Sequence, residues 1–119
     1  MTENSPALKI ALAYYQAWTN KDLDRAMSYI SDDVVCDAPA GRIEGAGAYR
    51  AFLTPFVQML RGTTLIAAFG DDENALIMYD AATVRVPSAP GAECATVKDG
   101  KITYSRFLFD RAPFQAARQ

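Results

Sequence analysis

Histidine is missing from the sequence altogether. Without an imidazole there is no His-based triad, no histidine acid or base, and little prospect of a zinc site. Cysteine is scarce as well. Cys36 and Cys94 stand far apart in no paired motif, too few for a disulfide framework or a thiolate metal centre. Two free thiols in a reducing cytosol is the reading that follows.

A basic excess is also absent. Lys and Arg number 12 against 14 Asp and Glu, a formal charge of −2 with no Lys/Arg cluster, which argues against a nucleic-acid partner. No apolar run approaches the ~20 residues of a membrane helix. Residues 1–9 carry Glu3 and no apolar stretch, so no signal peptide is expected and the cytoplasm is the expected location. Gly-rich phosphate loops, nucleotide fingerprints and metal-ligand clusters do not occur, so neither metal nor cofactor is expected.

What is present suits one globular domain over residues 1–119, half apolar and 22% charged, enough hydrocarbon to exclude disorder. Ser5-Pro6 is a strong helix start, and Ala7, Leu8, Ala11, Leu12, Tyr14, Tyr15 and Trp18 recur at steps of three and four. Asp22 caps a shorter helix with Leu23, Ala26, Met27 and Ile30 in one stripe. Ser31-Asp32-Asp33 reads as a turn before a strand over 34–37, which Pro39 and Gly41 stop. A third helix begins near Gly45-Ala46-Gly47, carries Phe52, Phe56 and Met59 on one side, is kinked by Pro55 and ends at Gly62.

Strands follow over 63–69, 75–86, 92–98 and 101–109, with a loop at 87–91 and a tight Asp99-Gly100 hairpin turn. Helices followed by a meander predict an α+β domain with its helices on one face of a curved antiparallel sheet. Alternation is informative in the long strands. Leu76, Met78, Asp80, Ala82 and Val84 share one face, and Ala75, Ile77, Tyr79, Ala81 and Thr83 the other. Both are too apolar for either to be fully wet, so one should meet the helices and the other a second copy of the chain.

Two carboxylates fall on apolar faces: Asp80 between Met78 and Ala82, and Glu93 beside Ala95 and Val97. A carboxylate among hydrocarbon either finds partners or has its pKa pushed toward neutrality, where it is useful for proton transfer. Tyr14 and Trp18 lie on one helix face; a phenol aimed into an apolar cavity can stabilise a developing oxyanion. Phe52, Phe56, Met59, Phe107 and Phe109 are candidates for core or cavity lining, with Trp18 and Met78 beside them. Arg106 is expected on the outer face, paired with an acid.

These residues carry a resemblance. The run Tyr14, Asp22-Leu23-Asp24, Ser31-Asp32-Asp33-Val34-Val35, Pro39 and Gly45 is similar to the start of the NTF2-like superfamily. Asp99-Gly100-Lys101-Ile102, Arg106-Phe107-Leu108-Phe109-Asp110 and Pro113-Phe114 resemble the ending of its SnoaL-like branch. The resemblance implies a cone-shaped α+β barrel, three N-terminal helices on a strongly curved antiparallel sheet. It also implies an apolar pocket for a hydrophobic small molecule and a homodimer through the convex face.

Likeness to the ketosteroid isomerases would put the oxyanion-hole tyrosine at Tyr14 and the neutral acid near Glu93. It puts the catalytic base at Ala38, which has no ionisable group. The Arg-x-Asp pair of the epoxide-hydrolase branch would fall on Met78 and Asp80, and its other Asp on Phe107. The Asp/His arrangement frequent among polyketide cyclases has no His here. The expected functions are proton transfer on a hydrophobic carbonyl compound, with Asp80 moving the proton and Tyr14 and Glu93 holding the enolate oxygen, or non-catalytic binding of an apolar ligand.

Overall fold

A computed structural model describes residues 5–117; the first four residues of the expected leaderless N-terminus lie outside it. Helix α1 (Pro6–Thr19) starts where Ser5 accepts from the Leu8 amide, with proline in the first turn. Asp22 caps α2 (Leu23–Met27) by accepting from the Arg25 amide. Ala26 is the buried residue of that short helix. Ile30, expected in its stripe, instead opens strand β1 (Ile30–Ala38). The predicted Ser31-Asp32-Asp33 turn lies inside this strand, where the register shifts between Ile30 and Val35. A bulge accommodates polar residues there without ending the strand.

Strand β2 (Gly41–Glu44) returns antiparallel on β1 and hands over to α3 (Ala46–Met59) through Gly45, whose φ of 91° favours glycine. Pro55 lies within α3, and the helix continues past it to Met59. Gly62, expected to end the helix, is already in strand β3 (Leu60–Gly70), followed by β4 (Asn74–Thr83), β5 (Ala89–Lys98) and β6 (Lys101–Phe109). Asp99 and Gly100 both have positive φ, 52° and 76°, as a two-residue hairpin requires. A short helix α4 (Ala112–Ala117), not foreseen from sequence, closes the described chain.

The six strands form one curved, unclosed sheet in the order β2-β1-β6-β5-β4-β3. Every neighbouring pair is antiparallel except β1 and β6, which run parallel. This corrects the wholly antiparallel expectation. No hairpin joins β1 to β6, so nothing local dictates their relative direction.

Strand β4 shows which sheet face is covered. Ala75, Ile77, Tyr79, Ala81 and Thr83 are buried, while Leu76 and Met78 stand 47% and 43% exposed. The aromatic side chains of α1 explain the choice: Tyr15 packs tilted and Trp18 edge-on against Tyr79, with ring centroids 5.6 and 5.3 Å away. Pairing then carries three rows across the concave face. Tyr79, Gly91 and Phe109 form one; Ile77, Glu93 and Phe107 the next; Ala75, Ala95 and Ser105 the third.

Candidate functional site

A cavity of about 330 Å³ lies between the concave sheet face and the helices. Trp18 from α1, Phe52, Phe56 and Met59 from α3, and Phe107 and Phe109 from β6 line it. The spacing of Phe52, Phe56 and Met59 turns one side of α3 toward the hollow, while Tyr49, Leu53 and Val57, at steps of four, are its buried side. Phe114 and Arg111, at α4 and just before it, also line the cavity.

Two expected residues are elsewhere. Met78 and Asp80 lie on the outer sheet face, because they alternate with Tyr79, whose ring is locked under α1. Both Asp80 carboxylate oxygens accept from the Ser88 hydroxyl, at 3.0 and 2.9 Å. Asp37 does not face the cavity either. Arg42 binds it at 2.9 and 3.1 Å, Tyr104 donates at 2.6 Å, and Arg106 lies 3.5 Å away. The Arg42 hydrogen bonds, with that of Tyr104, hold its carboxyl down to about 2. Arg106 thus has the acid partner expected of it.

Tyr14 and Glu93 are linked, through residues the sequence did not single out and not on the cavity wall where they were expected. The Tyr14 and Tyr49 hydroxyls are 2.5 Å apart. Tyr49 donates to Glu93 Oε2 at 3.3 Å and Ser105 donates to the same oxygen at 2.5 Å. Tyr14, Tyr49 and Ser105 are fully buried and Glu93 is 5% exposed. Among the described residues Glu93 Oε1 has no hydrogen-bond partner. Tyr49 was legible as the first of the buried i, i+4, i+8 set on α3; Ser105 was legible as a small polar residue on the Phe107 face.

Electrostatics follow from burial. Desolvation lifts Glu93 to about 7, against the lowering effect of the Ser105 and Tyr49 hydrogen bonds. Burial, and then the charge of Glu93, push both Tyr14 and Tyr49 well above the ordinary tyrosine value, so both remain hydroxyl donors. Cys36, in the same buried core, is pushed up to about 12, first by desolvation and then by Glu93. It is an inert thiol at neutral pH.

The four-residue network does not line the cavity; it lies behind the cavity's aromatic wall. Phe107 is the direct cross-strand neighbour of Glu93, and its ring is 5.7 Å from Phe52 and 6.4 Å from Tyr49. Phe52 in turn lies 6.4 Å from Tyr49. The site therefore consists of an apolar chamber and, beside Phe107 on the same sheet row, an acid that can hold or release a proton near neutrality. No group of three or more potential metal ligands occurs among the described residues.

The SnoaL-like domain family matches residues 11–105. A solved structure from Kribbella flavida DSM 17836 is 55% identical, covers 94% of this chain and 93% of its own, and superposes with a TM-score of 0.93. An NTF2-like protein from Cytophaga hutchinsonii ATCC 33406 is 17% identical over 89% of this chain and 91% of its own, at a TM-score of 0.76. A second Kribbella flavida protein, proposed to be a ketosteroid isomerase, is 18% identical over 92% of this chain and 79% of its own, at 0.75. At such identities these two show the fold. No protein of curated function matches the chain. The family match covers most of the sequence, and the chain belongs to the SnoaL-like domain family; its fold is that of the NTF2-like structures it superposes on.

Proposed function

We propose that the protein holds a small hydrophobic carbonyl compound in this cavity. The supporting observation is the chamber itself, about 330 Å³ of space walled mainly by aromatic and aliphatic side chains. That size lies at the lower end of small-molecule sites. Native mass spectrometry of protein purified from its own cells tests the reading. A retained apolar compound that is lost from the cavity-filling variant Ala89→Trp is the expected result. A compound that stays bound to that variant, or none retained by the wild type, defeats it.

A specific observation favours a second reading, a proton-transfer isomerase or cyclase. Glu93 titrates near neutrality, and its Oε2 already accepts two hydroxyl bonds. The acidic proton then resides on Oε1, free for a carbonyl oxygen, and the ionised form can accept a proton from the carbon beside that carbonyl. Tyr49 and Tyr14 extend the hydrogen-bond chain that stabilises the charge. Access requires the Phe107 ring to swing aside. The assay is solvent deuterium incorporation beside the carbonyl of a cyclic ketone. Exchange by the wild type that Glu93→Gln abolishes is expected; no wild-type exchange, or exchange that survives the substitution, defeats this reading.

Two copies are proposed to pair through the outer sheet face, where Phe69, Leu76, Met78 and Leu108 are exposed. A cytoplasmic setting is proposed from the two free thiols. Among the described residues no helix is long and apolar enough to cross a membrane.

A further inference from the structure

Among the described residues the cavity wall holds no carboxylate, and the Gln115 amide is its one side-chain carbonyl acceptor. The Tyr79 hydroxyl makes no hydrogen bond within the described residues, although Tyr79 is 5% exposed and lines the chamber. Its ring tip lies over Gly91, close enough that a Cβ there would come within 3.2 Å of the phenol oxygen. Glycine at 91 thus leaves the hydroxyl room at the wall. Burial pushes the Tyr79 pKa up, so the group stays a donor. Trp18, also in the wall, has its Nε1 buried without an acceptor.

A cation stands in the same wall. Arg111 lines the cavity and forms no ion pair among the described residues. It follows Phe109 by two residues, and Phe109 ends the cross-strand row through Gly91 to Tyr79. A neighbouring hollow of about 490 Å³ shares Pro55, Met59 and Phe114 with the chamber and contributes Arg85, likewise without an ion pair. Among the described residues neither hollow has a carboxylate in its wall.

Donors and guanidinium groups without acceptors or anions define what is lacking. We infer that the chamber selects an aromatic acid, its rings against Trp18, Phe52, Phe56 and Phe107, its carboxylate at Arg111 and an oxygen in reach of the Tyr79 hydroxyl. The inference rests on the reading of the chamber as a small-molecule site and adds the charge of its occupant. An arginine at a partly solvated rim contributes modestly, so the preference should be severalfold and should weaken with salt.

The test compares 6-hydroxy-2-naphthoate with 6-hydroxy-2-naphthamide, which share a ring body and the hydroxyl oxygen meant for Tyr79 and differ in charge. Binding is followed by NMR shifts of the Gly91 and Ala89 amides, which also report where the probes sit. The acid should bind about fivefold tighter than the amide at low salt. Arg111→Gln should bring the two within twofold, Arg111→Lys should restore part of the difference, and Tyr79→Phe should weaken the acid severalfold. If both probes shift Gly91 with equal affinity and Arg111→Gln changes nothing, the acid preference is overturned while the chamber stands. If neither shifts Gly91 or Ala89, the small-molecule reading itself fails and the inference falls with it.

Discussion

Replacing Glu93 by Gln removes the ionisable group but keeps an oxygen that can accept from Ser105 and Tyr49. The consequence for stability depends on pH, and its sign can be worked out. Burial raises the folded-state pKa to about 7 from an ordinary 4.5. Between those values the folded protein holds a proton that the unfolded chain releases. The stabilisation it brings is complete below the unfolded value and is lost as pH rises through the folded one. At 1.36 kcal/mol per pKa unit, wild type should lose about 2–3 kcal/mol relative to Glu93→Gln between roughly pH 5 and pH 8.5. Asp37 and Asp71, whose pKa values are lowered, are common to both proteins and cancel in the difference. Chemical denaturation of both proteins across that range measures it. A difference that does not change with pH would refute the reasoning, because Glu93 would then be an ordinary carboxylate in the folded state.

Phe107→Ala removes the wall between chamber and acid; it should cost about 3–5 kcal/mol in denaturant unfolding and, by admitting water, lower the pKa of Glu93 in a carboxyl NMR titration. Asp80→Asn, on the outer face, should leave ligand affinity within twofold of wild type by calorimetry. If the outer faces pair as proposed, light scattering should find the wild type dimeric and Met78→Glu, which places a charge in the middle of the exposed outer patch, monomeric at the same concentration.

Local chemistry made much of the fold legible. Ser5-Pro6, Asp22 and Asp99-Gly100 act through their own backbone neighbours, and each does what its residue type demands. The facing of β4 was different. Alternation separated Asp80 from Tyr79 but could not say which side was inside, since both sides carried hydrocarbon. The decision came from α1, whose Tyr15 and Trp18 rings take Tyr79 and leave Asp80 to Ser88. The stripe on α3 was read as one face where the structure uses two, with Phe52, Phe56 and Met59 toward the chamber, Tyr49 and Val57 into the core, and Leu53 buried between them at the chamber wall. Tyr49 was therefore overlooked as the link between Tyr14 and Glu93, a contact made only by three elements meeting. The short α4, which follows a turn where Asp110 accepts from the Ala112 amide, was too brief for its periodicity to register.

Isotope-filtered NOE spectroscopy with 2-naphthamide, a neutral probe, tests most directly whether the concave chamber is the binding site. Contacts from the probe to the ring protons of Phe52, Phe56 and Phe107 are the expected result. Contacts confined to Leu76, Met78 and Leu108 on the outer sheet face would contradict it.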